Sequence, residues 1–153
     1  GKEKFMKRCV ECGIQGLIVP DLPYEEKQEI SGVCEAYGVD LISLIAPTSR
    51  ERIAMIAREA RGFLYVVSSL GVTGVRREIQ TDIREMVEQV RKNTKIPCAV
   101  GFGISTPGQA AEMAAFSDGA IVGSAIVDLV AREGRDSVET VRTYVKKMKE
   151  TLL

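Results

Sequence analysis

Three features of this sequence predict a parallel α/β fold of the (β/α)8-barrel type. Short, nearly continuous apolar runs alternate with amphipathic helical patterns along the chain, as strands covered on both faces alternate with their covering helices. Two of the runs, Val100-Gly101-Phe102-Gly103-Ile104-Ser105 and Ala120-Ile121-Val122-Gly123-Ser124-Ala125, stop at glycine and pass within a few residues into a helix. No strand leads into a G-x-G-x-x-G fingerprint, because Gly101-Phe102-Gly103 lacks its third glycine, and no P-loop is present. That weighs against an open dinucleotide-binding sheet and for a barrel.

The elements follow in order. A helical pattern opens the chain, with Phe5, Cys9 and Cys12 at i, i+4, i+7 as its apolar face. Strands are expected at Gly16–Pro20, Asp40–Ala46, Gly62–Val67, Pro97–Gly101 and Ala120–Val122. Between them, Ile30, Val33, Cys34 and Tyr37 repeat at helical spacing, as do Ile53, Ile56, Ala57 and Ala60, and then Ile83, Met86, Val87 and Val90. Val138, Val141, Val145, Met148 and Leu152 form a stripe on a last helix. Thr48 with Glu51, and Thr106 with Gln109 behind Pro107, fit capping boxes, and Gly38 fits a left-handed helix end.

Strand starts recur roughly every 22 to 24 residues, except for one gap of about 34. That gap holds the longest loop, 68–77, which reads as a lid with Gly71 and Gly74 as hinges or as a disordered connector. A whole barrel takes eight units and about 250 residues. The 153 residues here, read as one domain over 1–153, supply a leading helix and five strands. The opening Gly1 suggests processing or truncation. Five strands cannot close a barrel, so Leu17–Val19 and the last strand are expected as open edges. The inward faces of Ile18, Leu44 and Val66 should then meet water, and the chain should tend to self-associate.

Composition narrows the function classes. Lys plus Arg and Asp plus Glu are both 21, so no basic field exists for nucleic acid or an anionic membrane. No run is long enough to span a bilayer and no signal peptide opens the chain, which points to the cytoplasm. Cys9-x-x-Cys12 could be redox or metal chemistry, but no histidine completes a mixed zinc site. Buried structural thiols are the expectation for all four cysteines, and no metal is expected.

The glycine-ended strands carry the chemistry. Their C-terminal ends should be neighbours, and barrel enzymes keep a phosphate site after their last two strands. Gly103, Gly123 and Ser124 would then cradle an anion on free N–H groups and a hydroxyl, or else make ordinary tight turns. Thr73 and Gly74 would close over it from the loop, and Tyr65 faces the ligand if its ring points inward. Asp21 is the one carboxylate just past a strand's C-terminal end, placed as a general base or as a cap of the next turn.

Taken together these stretches resemble the α subunit of tryptophan synthase. Gly16-Leu-Ile-Val-Pro20-Asp21-Leu-Pro23-Tyr-Glu-Glu resembles its fourth strand and turn, and Leu44-Ile-Ala-Pro47-Thr48-Ser its fifth. Phe63-Leu-Tyr65-Val-Val-Ser-Ser-Leu-Gly71-Val-Thr73-Gly74 resembles the sixth strand and mobile lid. Val100-Gly-Phe102-Gly103-Ile-Ser-Thr-Pro and Ile121-Val-Gly123-Ser124-Ala-Ile-Val resemble the seventh and eighth. The similarity runs in order from about residue 2 to the end, the C-terminal portion of a TIM barrel.

The resemblance implies a lyase of tryptophan biosynthesis that cleaves indole-3-glycerol phosphate to indole and glyceraldehyde 3-phosphate without a cofactor. By position, Gly74, Gly103, Gly123 and Ser124 match phosphate-binding places, Tyr65 and Phe102 the substrate pocket, and Thr73 the lid threonine. Ile18 and Leu44 would line the indole pocket. The implied partner is the pyridoxal-phosphate β subunit, toward which the Asp21-Leu22-Pro23 turn would lie. The family's catalytic glutamate and aspartate belong to its second strand and the loop after it, which would precede residue 1. An isolated piece without them should be inactive, and Asp21 is a weak substitute. Two other readings stay open: another phosphate-binding barrel enzyme, of the indole-glycerol-phosphate synthase or phosphoribosyl isomerase type, and a non-catalytic assembly module.

Overall fold

The computed structural model describes residues 1–67, 76–101 and 103–152. Five strands, β1 (Gly16–Ile18), β2 (Asp40–Ile45), β3 (Leu64–Val67), β4 (Cys98–Gly101) and β5 (Gly119–Ile121), pair in parallel in sequence order. Helices α1 (Lys2–Glu11), α2 (Gln28–Ala36), α3 (Arg50–Glu59), α4 (Arg76–Asn93), α5 (Pro107–Ala114), α6 (Ser124–Glu133) and α7 (Ser137–Glu150) accompany them. All five expected strands form, each one to two residues shorter at an end or shifted by one. α4 begins at Arg76, so the last two residues of the expected 68–77 loop are helical; residues 68–75 lie outside the described ones.

Sequential parallel order with right-handed crossovers places the connecting helices on one face of the sheet. The register shows which residues meet them. Ile45, Val66 and Val100 stand level across β2, β3 and β4 and are buried. They join Ile53, Ile56 and Ala57 of α3, and Ile83, Met86, Val87 and Val90 of α4, in one apolar cluster. Two of the expected helical faces therefore pack as the spacing requires. The third, on α2, packs in a smaller cluster, where Cys34 is joined by Met6, Cys9 and Val39. Between the two clusters the links include ion pairs of α2 and its preceding turn with α3 and its end. Lys27 pairs with Glu59, Arg52 with Glu25 at 2.5 Å and Arg61 with Glu35 at 2.7 Å.

Several local expectations shift. On α1 the buried pair is Met6 and Cys9, while Phe5 is exposed and Cys12, at the helix end, is exposed too. The helix has turned its i, i+3 pair inward, so three of the four thiols are buried rather than all. Burial pushes the Cys98 thiol up to about 11, which suits an inert core group. The cap of α3 is Ser49, whose hydroxyl accepts from the Arg52 N–H at 3.3 Å, not Thr48 with Glu51. Gly38 does sit left-handed at φ 66, as a helix end before a strand requires.

On α7 the expected stripe is met in part: Met148 is buried and Val141 half-buried, but its other members face out. Tyr144 and Met148 pack inward and Tyr144 donates to the Ser105 carbonyl at 2.7 Å, whereas Val138 is 69% exposed and Val145 and Leu152 are also exposed. The helix docks on α5 and α6 through the face that carries Tyr144 and Met148, about 100° round from Val138 and Val145. As expected, β1 and β5 each have one neighbour and form the edges. Ile18 is 43% exposed and Leu44 half-buried, but Val66 is fully buried among helices. Period-two alternation puts Val66 on the opposite face from its neighbour Tyr65.

Candidate functional site

The helix-free face of the sheet is set by the residues between those core positions. Leu44 and Tyr65 stand level, and so do Val67 with Gly101 and Gly101 with Ile121. Tyr65 therefore points to the helix-free side, and Gly101 makes the room it needs. A Cβ built on Gly101 would lie 2.6 Å from the Tyr65 ring and hydroxyl and 2.9 Å from the Ile121 Cβ. Any larger residue at Gly101 would drive the ring away.

Beyond that ring, at the C-terminal ends of β3, β4 and β5, lies a cavity of about 360 Å³. Its walls are Tyr65, the Gly103-Ile104-Ser105 turn, Ile121, and the Gly123-Ser124-Ala125 start of α6 with Asp128 one turn further on. Four of the residues singled out in the sequence, Tyr65, Gly103, Gly123 and Ser124, thus meet in one place.

The two glycines do different work. Gly103 is left-handed at φ 71, a conformation that favours glycine and turns the chain from β4 toward α5. Gly123 has φ −120, and among the described residues a Cβ added there would meet nothing within 4 Å. Neither backbone conformation nor crowding by the protein demands a glycine at 123; what its missing side chain leaves is open space over the start of α6. The N–H groups of Ile126 and Val127 donate to the Gly123 carbonyl at 2.9 and 3.1 Å. Those of Ser124 and Ala125 come before any helical acceptor, and among the described residues no side chain caps them. Ser124 and Ala125, at the positive end of the helix, both line the cavity.

The start of α5 is different. Thr106 accepts from the Gln109 N–H at 3.3 Å, and Gln109 Oε1 takes the N–H groups of Ser105 and Thr106 at 2.9 and 3.1 Å. This is the expected capping box, complete with Pro107, and it consumes the amides that an anion would need.

Other expected residues lie elsewhere. Leu44 lines a separate cavity of about 70 Å³ with Val19, Pro20, Leu22 and Ile42, next to Tyr65 in register but outside the cavity at Ser124. Ile18 is on the edge strand. Asp21 is exposed beyond β1 and lines neither cavity. Thr73, Gly74 and Phe102 lie outside the described residues. Sequence reasoning passed over Gly101, whose place at a strand end beside Gly103 was its only signal, and Asp128, which carried none. Among the described residues no group of three or more His, Cys, Asp or Glu could hold a metal, and no helix is long and apolar enough to cross a membrane.

Comparison with known proteins agrees with this geometry. The family model described as tryptophan synthase alpha chain matches residues 1–152. The tryptophan synthase alpha chain of Lacticaseibacillus casei is 47% identical over 149 residues, which is 97% of this chain and 56% of that protein. The solved tryptophan synthase subunit alpha of Campylobacter jejuni superposes with a TM-score of 0.88 at 33% identity, covering 97% of this chain and 59% of that one. A structure of the tryptophan synthase a2b2 complex from Pyrococcus furiosus matches with a TM-score of 0.84 at 29% identity, covering 98% and 61%. The chain thus spans about three fifths of the length of the relatives it matches. A parallel α/β sheet of the TIM-barrel type belongs with those relatives: the chain is a member of the tryptophan synthase alpha chain family.

Proposed function

We propose that this chain is the C-terminal portion of a tryptophan synthase α barrel, corresponding to strands four to eight, and that it carries the phosphate grip for indole-3-glycerol phosphate. The carrying observation is the cavity that unites Tyr65, Gly103, Gly123 and Ser124 beside the uncapped start of α6. The phosphate would sit on the Ser124 and Ala125 amides and the Ser124 hydroxyl, with Gly103 leaving clearance on the β4 side. Gly74 and Thr73 would close it from the 68–75 segment. Tyr65 and Phe102 would flank the rest of the substrate, with Leu44 and Ile18 lining the indole end.

Cleavage of the carbon–carbon bond needs a base and an acid beside the indole. Among the described residues the cavity wall holds one carboxylate, Asp128, and no lysine, and the sequence has no histidine. The acid–base pair would therefore come from outside these residues, and the chain alone binds without turning over. Loss of one acid–base group typically costs about 10²–10⁴-fold. In the whole protein the activity would be the lyase of tryptophan biosynthesis, cytoplasmic, needing no cofactor of its own. Indole would pass to the pyridoxal-phosphate β subunit, as the a2b2 complex of the Pyrococcus relative suggests.

Two measurements on the purified chain test this reading: titration with glycerol 3-phosphate, and an assay of indole release from indole-3-glycerol phosphate. Binding without release is the expected result. Turnover near that of an intact α subunit would place the acid–base pair within these residues. Absence of binding would remove the cradle.

A further inference from the structure

Among the described residues Asp128 is the one charged side chain in the wall of this cavity. It follows Ser124 by four residues in α6 (Ser124–Glu133), so the two side chains lie one above the other on one face of the helix. Side chains of a helix lean toward its N-terminus, which brings the carboxylate toward the Ser124 hydroxyl and the open amides. Asp128 is exposed, and among the described residues its carboxylate forms no ion pair; its backbone carbonyl accepts from Arg132 Nε at 3.3 Å.

A bare carboxylate close to a bound phosphate raises the energy of every phosphate ligand by like-charge repulsion. A ligand recovers that cost only by bringing a donor of its own. A hydroxyl two or three atoms from the phosphorus can reach from the Ser124 amide to the next helical turn, whereas an alkyl chain of the same length offers the carboxylate nothing. A carboxylate is an acceptor only, so the donor has to come from the ligand.

We propose that Asp128 is a specificity-determining residue that selects hydroxyl-bearing phosphate monoesters, accepting a hydrogen bond from a ligand hydroxyl while the amides of Ser124 and Ala125 hold the phosphate. This rests on the cradle reading above, and the experiment separates the two. Glycerol 3-phosphate, n-propyl phosphate and inorganic phosphate are titrated into the ¹⁵N-labelled chain, following the Ser124 and Ala125 amide signals, for the parent, Asp128→Ala and Asp128→Asn. The readout is the ratio of the Kd for propyl phosphate to that for glycerol 3-phosphate, in which repulsion common to both ligands cancels.

A charge-assisted hydrogen bond at a partly solvated site should make this ratio about five- to tenfold larger in the parent than in Asp128→Ala. Inorganic phosphate and propyl phosphate should bind the alanine variant more tightly than the parent, because repulsion is relieved. Asp128→Asn should fall between, losing the charge but keeping an acceptor. If the amide signals respond and the ratio is the same in all three proteins, Asp128 does not select the ligand although the cradle stands. If no ligand moves those signals in the parent, the cradle and the selectivity built on it fall together.

Discussion

The helices that follow β4 and β5 start from the same end of the sheet, a few ångströms of loop beyond a glycine, and their first turns are completed in opposite ways. At α5 the protein supplies its own acceptors: Thr106 caps Gln109, and Gln109 reaches back to Ser105 and Thr106. At α6 no side chain among the described residues does so, and Ser124 and Ala125 lie in the wall of a cavity. A helix start left open costs the fold something, since a cap is typically worth about 1 kcal/mol. That cost is understandable where a ligand supplies the missing acceptors. Damage at α6 should therefore appear in binding, and damage at α5 in stability.

The largest effect is expected from Gly123→Val. Its side chain would stand in the space over the Ser124 and Ala125 amides, where a Cβ meets no atom of the described residues within 4 Å. The fold has room for it and the ligand does not. Hydrogen bonds to a charged group contribute about 1.5–3 kcal/mol each, so losing two should weaken glycerol 3-phosphate by at least about a hundredfold. A titration in which this variant binds like the parent would dissolve the distinction between the two helix starts.

Gly101→Val comes next and strikes both properties. The new side chain must displace the Tyr65 ring and press on Ile121, an overpacking that typically costs about 1–3 kcal/mol. For a chain of this size that lowers the Tm by roughly 2–4 °C per kcal/mol. Binding should weaken as well, because Tyr65 walls the cavity. An unchanged melting curve would mean that strand and ring adjust more freely than close packing allows.

Thr106→Ala is the counterpart of Gly123→Val. It removes the hydroxyl that accepts from the Gln109 N–H and should cost about 1 kcal/mol, seen as a lower denaturation midpoint. Phosphate affinity should change less than twofold, since the α5 amides were already occupied. A large loss of binding here would show that both helix starts serve the ligand.

How much of this was legible in the sequence follows from how local each cause is. Strand positions, the faces of α2, α3 and α4, and the capping box at α5 were readable because each is fixed by residues within about two helical turns. The face of Tyr65 was not, because period-two alternation leaves two choices that only Leu44, Gly101 and Ile121 on neighbouring strands decide. The same holds for α7, where a stripe of Val138, Val141, Val145, Met148 and Leu152 fits the helical period and so does one through Val141, Tyr144 and Met148. Docking on α5 and α6 chose the second set. The contrast between Gly103 and Gly123 was hidden most deeply. Both end an apolar run before a helix, and only the path of the backbone shows that one is needed for a left-handed turn and the other for the space above it.

The smallest expected effect is at a third strand end. Asp21 follows β1 (Gly16–Ile18) at the same C-terminal rim where a barrel gathers its functional groups, which made it the one carboxylate to weigh from sequence. In the structure it is exposed, on the edge strand's side of the sheet, with β2 and β3 between it and β4 and β5, whose ends lead to Ser124 and Ala125. A solvent-exposed charge separated from a ligand by more than about 8–10 Å is largely screened at physiological ionic strength. Three strands at about 4.8 Å spacing place β1 beyond that range from β4. Asp21→Asn should then leave glycerol 3-phosphate affinity within about twofold of the parent and the melting temperature nearly unchanged, since exposed substitutions typically stay within about 0.5 kcal/mol. Binding measured at two salt concentrations sharpens the test, because a long-range effect of this charge would shrink as salt rises while a direct contact would persist. A clear loss of binding that survives high salt would put Asp21 in touch with the ligand, and would extend the site from the uncapped helix across the whole rim.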